Sequence, residues 1–218
     1  MKTALVFGST GLIGGHLTKL LLENSNYEKV KLFVRSNINL QHPKLEIIKI
    51  DFKNLSKHTH DIKGDDCFFC IGTTRKNSPN KQDYKRVELD IPKQISSIAK
   101  SNSVNSFSFI SSGMANSKHS GDYLRFKGLV EEELQKLNFN HLSILRPSFL
   151  LGKRKENRIG ERMGIFVFKL LSPFFIGSLK RMKPIDSEIV ARAMIHLSNN
   201  NVGKNIFESD EIFNLGKI

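Results

Sequence analysis

The chain has 218 residues, of which 39% are hydrophobic and 25% charged, and its formal net charge is +13. That length suits one sizeable domain with a real core, and the composition reads as soluble and globular. Lys and Arg are spread along the whole chain with no block of five or more, so no specific nucleic-acid binding is expected despite the charge.

The chain opens on an apolar strand, Ala4 to Phe7, which runs straight into Gly8-Ser9-Thr10-Gly11-Leu12-Ile13-Gly14. An apolar, helix-compatible run follows, carried by Leu12, Ile13, Leu17, Leu20 and Leu21. Glycines at this spacing allow a tight turn, the approach of the backbone to a pyrophosphate, and close packing of helix on strand. The N–H groups at the helix start, aided by the macrodipole, then hold phosphates. Gly8 to Gly14 is therefore expected to bind a dinucleotide. The early break at Gly8 also argues against a signal peptide.

A second strand, Val30 to Val34, ends at Arg35-Ser36. It lies about twenty residues past the glycines, where such a fold meets the adenosine ribose. A carboxylate there would bind a free 2′-hydroxyl, whereas the Arg35 guanidinium pairs with a phosphate, so NADP(H) is favoured over NAD(H). A third strand, Leu45 to Ile50, ends in Asp51-Phe52, an acid suited to the adenine amino group beside an aromatic ring. The fourth, Cys67 to Ile71, leads into Gly72-Thr73, where a glycine again lets a cofactor lie close to the backbone. Cys67 and Cys70 form C-x-x-C, but i and i+3 on a strand point to opposite faces, so they read as buried thiols. None of the seven histidines shows metal-ligand spacing, and no metal site is expected.

From Pro79 to about Lys100 the spacing of Tyr84, Val87, Ile91, Ile95 and Ile98 predicts a helix, with a kink or local break at Pro92. A fifth strand, Ser106 to Ile110, delivers Ser111-Ser112-Gly113. The Glu-rich, Leu-spaced stretch after it is a helix, which sets Tyr123 and Lys127 one turn apart on one face. A sixth strand, His141 to Leu145, ends in Arg146-Pro147. Successive βα units of this kind predict an α/β fold, a doubly wound parallel sheet in a single domain.

Residues 1–150 are expected to form the cofactor-binding core and 151–218 a substrate-side cover. Lys153, Arg154 and Arg158 read as a solvated basic loop rather than a contact for an anionic substrate. Met163 to Phe175 reads as core or homodimer packing, ahead of a lid or a membrane-touching helix. The longest apolar stretch, Gly164 to Leu179, carries Lys169 and Pro173 and is too short to span a bilayer. A cytoplasmic location follows. Ser187 reads as the N-cap of a helix reaching Leu197, with Glu188 in its first turn. Ile206-Phe207 and Ile212 to Leu215 read as short terminal strands.

A tyrosine four residues before a lysine on a helix, with a serine at a nearby strand end, supports proton transfer to a carbonyl. Phenol titrates near 10, and a close ammonium favours the phenolate. Tyr123 is thus the expected acid/base and Lys127 its electrostatic partner and ribose anchor. A serine hydroxyl polarises the carbonyl, and a nicotinamide carries the hydride.

Gly8-x-x-Gly11-x-x-Gly14, Ser111-Ser112, Tyr123-x-x-x-Lys127 and Arg146-Pro147-Ser148 together resemble a short-chain dehydrogenase/reductase of the atypical kind. Phe109-Ile-Ser-Ser-Gly, Tyr123-Leu-x-x-Lys127-Gly-x-Val-Glu-Glu and Leu145-Arg-Pro-x-x-Leu-x-Gly152 are similar to the small NAD(P)-binding oxidoreductases related to the Tat-interacting protein. The resemblance implies a Rossmann fold, NADPH binding at the residues above together with Tyr123, Lys127 and Pro147, and a Ser/Tyr/Lys site. Of the two serines, Ser112, eleven residues before Tyr123, is favoured. Some atypical relatives bind NADPH as regulators without established turnover. The expected function is an NADP-dependent oxidoreductase acting on a small-molecule carbonyl or alcohol. A cofactor-sensing regulator with a protein partner is the first alternative. A sugar-nucleotide epimerase or dehydratase ranks last, because the C-terminal part leaves little room for a nucleotide-sugar pocket.

Overall fold

Apolar runs bounded by glycine and polar turns become the strands of one sheet in the computed structural model, which describes residues 1–152 and 183–218. These strands are β1 (Lys2–Phe7), β2 (Tyr27–Val34), β3 (Leu45–Lys49), β4 (Asp66–Phe69), β5 (Ser106–Ile110) and β6 (His141–Arg146). Two short strands, β7 (Leu150–Leu151) and β8 (Ile185–Asp186), pair with each other, and β9 (Ile206–Glu208) returns to the large sheet. The seven strands run β3-β2-β1-β4-β5-β6-β9, every pair parallel. The order reverses between β1 and β4, the switch point where ligands of such sheets bind outside the carboxyl ends of the strands.

Parallel strands buried on both faces read as near-continuous apolar runs, and the alternation of β1 assigns its side chains. Leu5 and Phe7 face one core with Cys67, Phe69, Phe107 and Phe109, under α3 (Ile91–Ser101) and α4 (Asp122–Lys136). Ala4 and Val6 face the other with Phe68, under α1 (Leu12–Glu23) and α5 (Ser187–Asn199). Phe7 stacks on Phe33 with ring centroids 4.3 Å apart. Cys67 lies in the first core and Cys70 packs against the second, so the two free thiols fall on opposite faces. No helix among the described residues is long and apolar enough to cross a membrane.

Two elements differ from the sequence reading, and a third, the helix around Pro92, carries the local break expected of it. Ile212 to Leu215 is not a strand but part of α6 (Ser209–Leu215), because a capping box between Glu208 and Glu211 starts a helix there. The N-cap of α5 is Asp186 rather than Ser187, its carboxylate accepting the Glu188 N–H at 2.8 Å. The helix around Pro92 is a rod of three pieces: α2 (Lys81–Lys85), a π-turn over Arg86–Asp90, and α3. Pro92 has no N–H for the carbonyl of Glu88, so the ladder widens to the Ile91 N–H bond to Arg86. The described C-terminal elements belong to the core of the fold: β9 is an edge strand of the large sheet and α5 packs on α1. The basic loop with Lys153, Arg154 and Arg158 and the stretch Met163 to Phe175 lie outside the described residues.

The amino end of the sheet is locked by a polar cluster. Asp66 is fully buried, and burial pushes its carboxyl above the usual range against the pull of its partners. Its Oδ2 accepts the Tyr27 hydroxyl at 2.7 Å and the Lys2 ammonium at 3.1 Å. The Tyr27 oxygen also lies 3.0 Å from Ser198 Oγ, tying β1, β2, β4 and α5 together. Tyr27→Phe leaves the buried carboxylate short of a donor and is expected to lower stability by about 1–3 kcal/mol, read as a fall in the urea midpoint with an unchanged slope.

Candidate functional site

The turn after β1 is built so tightly that only glycine fits at two positions. Gly8 adopts φ +89°, and a Cβ there would lie 2.8–2.9 Å from the backbone of Cys70 and Ile71 at the end of β4. A Cβ on Gly14 would lie 2.1 Å from the Gly8 carbonyl oxygen, so α1 rests directly on the turn. The Gly11 N–H bonds to that same oxygen at 3.0 Å, and Gly11 is the N-cap of α1. The first N–H groups of a helix have no partner within it, and here the N-cap Gly11 has no side chain to cap them and no acid occupies the first turn. The positive end of α1 is thus open to an anion. Ser9 is buried and its hydroxyl has no partner among the described residues, while Thr10 is exposed. Leu12 is half-buried and Ile13 is anchored in the core, leaving their backbone to the turn. A side-chain-free cradle with an orphaned hydroxyl fits the pyrophosphate of a dinucleotide.

Other expected contacts stand at the carboxyl ends of neighbouring strands. Arg35 is exposed just past β2. Past β3, Asp51 is exposed with its carboxylate accepting the Lys53 N–H at 2.9 Å, and Phe52 packs against the core. Gly72 and Thr73 follow β4, the Thr73 N–H donating to Glu88 Oε1 at 2.5 Å. Pro147 is buried past β6, and its carbonyl accepts the Gly113 N–H at 3.3 Å, joining the ends of β5 and β6.

The first two turns of α4 bring Tyr123 and Lys127 together. The Lys127 ammonium lies 6.0 Å from the centroid of the Tyr123 ring and donates to the Ile110 carbonyl of β5 at 3.1 Å. Tyr123 is 41% exposed at the mouth, whereas Lys127 is 4% exposed beneath it. Burial pushes the ammonium down, but Glu88 first, then Tyr123 and Glu131, pull harder and hold it above the ordinary lysine range. The site therefore keeps a fixed positive charge under an accessible phenol.

The two serines are used differently. Ser111 is buried and donates to Glu131, which grips Arg146 at 2.5 and 3.0 Å; Arg146 in turn reaches Glu208 at 3.2 Å. That hydroxyl is committed to a bracket between α4, β6 and β9. Ser112 is half-buried and, among the described residues, donates to the adjoining Gly113 carbonyl alone, at 3.3 Å.

Sequence reasoning missed Glu88, which is 1% exposed with Oε2 3.2 Å from Lys127 Nζ. A signal was present: Glu88 lies four residues before Pro92, where the helix loses a hydrogen bond, and π-turns of this kind gather at functional sites. Sequence reasoning also missed the outer latch. Arg75 lies 4.2 Å over the Tyr84 ring and pairs with Asp122, which also takes Arg125.

Comparison with known proteins gives this geometry a family. A model described as NAD(P)H-binding matches residues 8–164. The chain is 28% identical to Protein HTATIP2 of Rattus norvegicus over 222 residues, covering 99% of this chain and 90% of that protein. It is 29% identical to Protein FMP52, mitochondrial, of Candida glabrata over 206 residues, 94% of this chain and 88% of that one. Among solved structures it is similar to the Bordetella bronchiseptica enzyme WbmH in complex with NAD+, with a TM-score of 0.73 and 18% identity over 95% of this chain and 75% of that one. The UDP-N-acetylglucosamine 4-epimerase of Methanobrevibacter ruminantium gives a TM-score of 0.68 at 17% identity, over 94% and 74% of the two chains. These structures share its fold. With the glycine cradle at the switch point of a 3-2-1-4-5-6 sheet, the chain belongs to the NAD(P)H-binding Rossmann family.

Proposed function

We propose that the protein is an NADP(H)-dependent oxidoreductase acting on a small-molecule carbonyl or alcohol. The observation that carries this reading is the buried Lys127 ammonium beneath the accessible Tyr123 phenol, at the carboxyl ends of the strands beside the glycine turn. Gly8, Gly11 and Gly14, with the first N–H groups of α1, would hold the pyrophosphate, and Arg35 the 2′-phosphate. Asp51 and Phe52 would border the adenine, Gly72, Thr73 and Pro147 would line the backbone side, and Lys127 would anchor the nicotinamide ribose. When bound, the nicotinamide supplies or accepts the hydride.

In the reducing direction Tyr123 would give its phenolic proton to the substrate's carbonyl oxygen. The resulting phenolate is stabilised by Lys127 until it regains a proton from solvent. Ser112, whose hydroxyl donates to the adjoining carbonyl at 3.3 Å, would orient and polarise the substrate oxygen; Ser111 is engaged elsewhere. In the oxidising direction the same groups run in reverse. The cytoplasm is the compartment this reading assumes, although the Candida glabrata relative is designated mitochondrial.

Two substitutions test the assignment. Tyr123→Phe removes the proton donor, and loss of a general acid is expected to cost about 10²–10⁴-fold in turnover while NADPH affinity stays within a factor of a few; unchanged turnover contradicts the role. Arg35→Asp replaces a phosphate partner with a carboxylate and is expected to shift the ratio of NADPH to NADH affinity toward NADH. An unchanged ratio removes Arg35 as the determinant.

A further inference from the structure

Glu88 is an acid in a place where an acid is costly. It sits 1% exposed on the π-turn, with one carboxylate oxygen on the Thr73 N–H at 2.5 Å and the other 3.2 Å from Lys127 Nζ. Among the described residues that ammonium also meets the Ile110 carbonyl at 3.1 Å, the face of the Phe109 ring at 4.8 Å and the Tyr123 ring at 6.0 Å. An ammonium in so dry a pocket gives up its proton unless a counter-charge holds it. We propose that Glu88 is a positioning residue that keeps Lys127 in its charged form, so that the ammonium is available to Tyr123.

The other charged groups around the pair are engaged elsewhere. Glu131, one turn along α4, is bound to Arg146 and Ser111. Asp122 is shared by Arg75 and Arg125. Cys70, at the end of β4, has its thiol pushed up to about 12 by burial and carries no charge near neutrality. Tyr84, from α2, is likewise pushed up by burial to about 12. Glu88 is therefore the one carboxylate, among the described residues, in ion-pair contact with Lys127. Its position is fixed from both sides. Pro92 imposes the π-turn that carries Glu88, and the Thr73 N–H locks the carboxylate to the loop after β4. The same bond joins that loop to the lysine, so one side chain sets both the charge and the place of the ammonium.

The inference rests on the Tyr123 and Lys127 roles proposed above, but its test needs neither cofactor nor substrate. The chain has three tyrosines and no tryptophan, so absorbance at 295 nm reads phenolates alone. Tyr27 and Tyr84 are both pushed up by burial, and Tyr123→Phe identifies the Tyr123 step by removing it. In Glu88→Gln the lysine loses its counter-charge and goes neutral. The Tyr123 step is then expected to rise by about one pH unit, the effect of losing a nearby opposite charge. Lys127→Met should give the same rise, and the double variant no more, because Glu88 acts through Lys127. Glu88→Asp, which keeps the charge, should titrate close to the wild type. An unchanged or lowered Tyr123 step in Glu88→Gln overturns the proposal, as does an Asp variant that rises as far as Gln. If Glu88→Gln does not fold, the double variant is compared with Lys127→Met. Equal ionisation supports the proposal, and a lower value in the double variant overturns it. A protein that passes this test yet turns over no carbonyl refutes the oxidoreductase reading and leaves the role of Glu88 intact.

Discussion

Helix α1 rests on the end of β1 with no space for a side chain between them. The Gly14 position leaves 2.1 Å to the Gly8 carbonyl, and Gly8 itself is pressed against the backbone that ends β4. This contact brings together three things the fold needs at once: the crossover from β1 to β2, the pairing of β1 with β4, and a helix start open to an anion. The strand order reverses at the same place, so the crevice of the sheet opens over the turn. Packing alone therefore demands glycine at these two positions, and any side chain would fail there.

Charge is handled in opposite ways at the two ends of the sheet. At the amino end a buried carboxylate, Asp66, is surrounded by the donors of Tyr27 and Lys2 and serves as a lock between strands and α5. At the carboxyl end a buried ammonium, Lys127, is surrounded by the acceptors of Glu88 and Ile110 and sits under an exposed phenol. Burial works against the charge in both places: it prevails at Asp66, whereas at Lys127 the acceptors outweigh it. Only the second leaves a reactive neighbour facing the crevice. The phenylalanines of β1, β2, β4 and β5 fill the layer between these two ends, so the polar groups are confined to where the strands stop.

The strands and their order of succession were legible because short apolar runs alternate with helical spacing, and because the glycine triplet marks the first crossover. Tyr123 and Lys127 were legible for a local reason: four residues apart on a helix, they must share a face. The sequence reading went wrong or fell silent where distance in the chain decides. Ile212 to Leu215 is apolar enough for a strand, but the Glu208–Glu211 capping box starts a helix first. Glu88 looks like one more solvated glutamate on an amphipathic helix until the fold brings Lys127 to it from 39 residues away. Pro92 did flag a break in that helix, yet nothing local says that the break turns an acid inward. Ser111 and Ser112 are likewise adjacent and alike, and only the Glu131–Arg146 bracket tells them apart.

At the centre of the account stands the glycine turn as a site for a phosphorylated dinucleotide, with Arg35 at the far end of its reach. The most direct measurement is a titration of the wild-type protein with NADPH and with NADH, followed by the fluorescence of the reduced nicotinamide. The account predicts saturable binding of NADPH, tighter than that of NADH and weakened by added inorganic pyrophosphate. A protein that binds neither, or on which pyrophosphate does not compete, contradicts it.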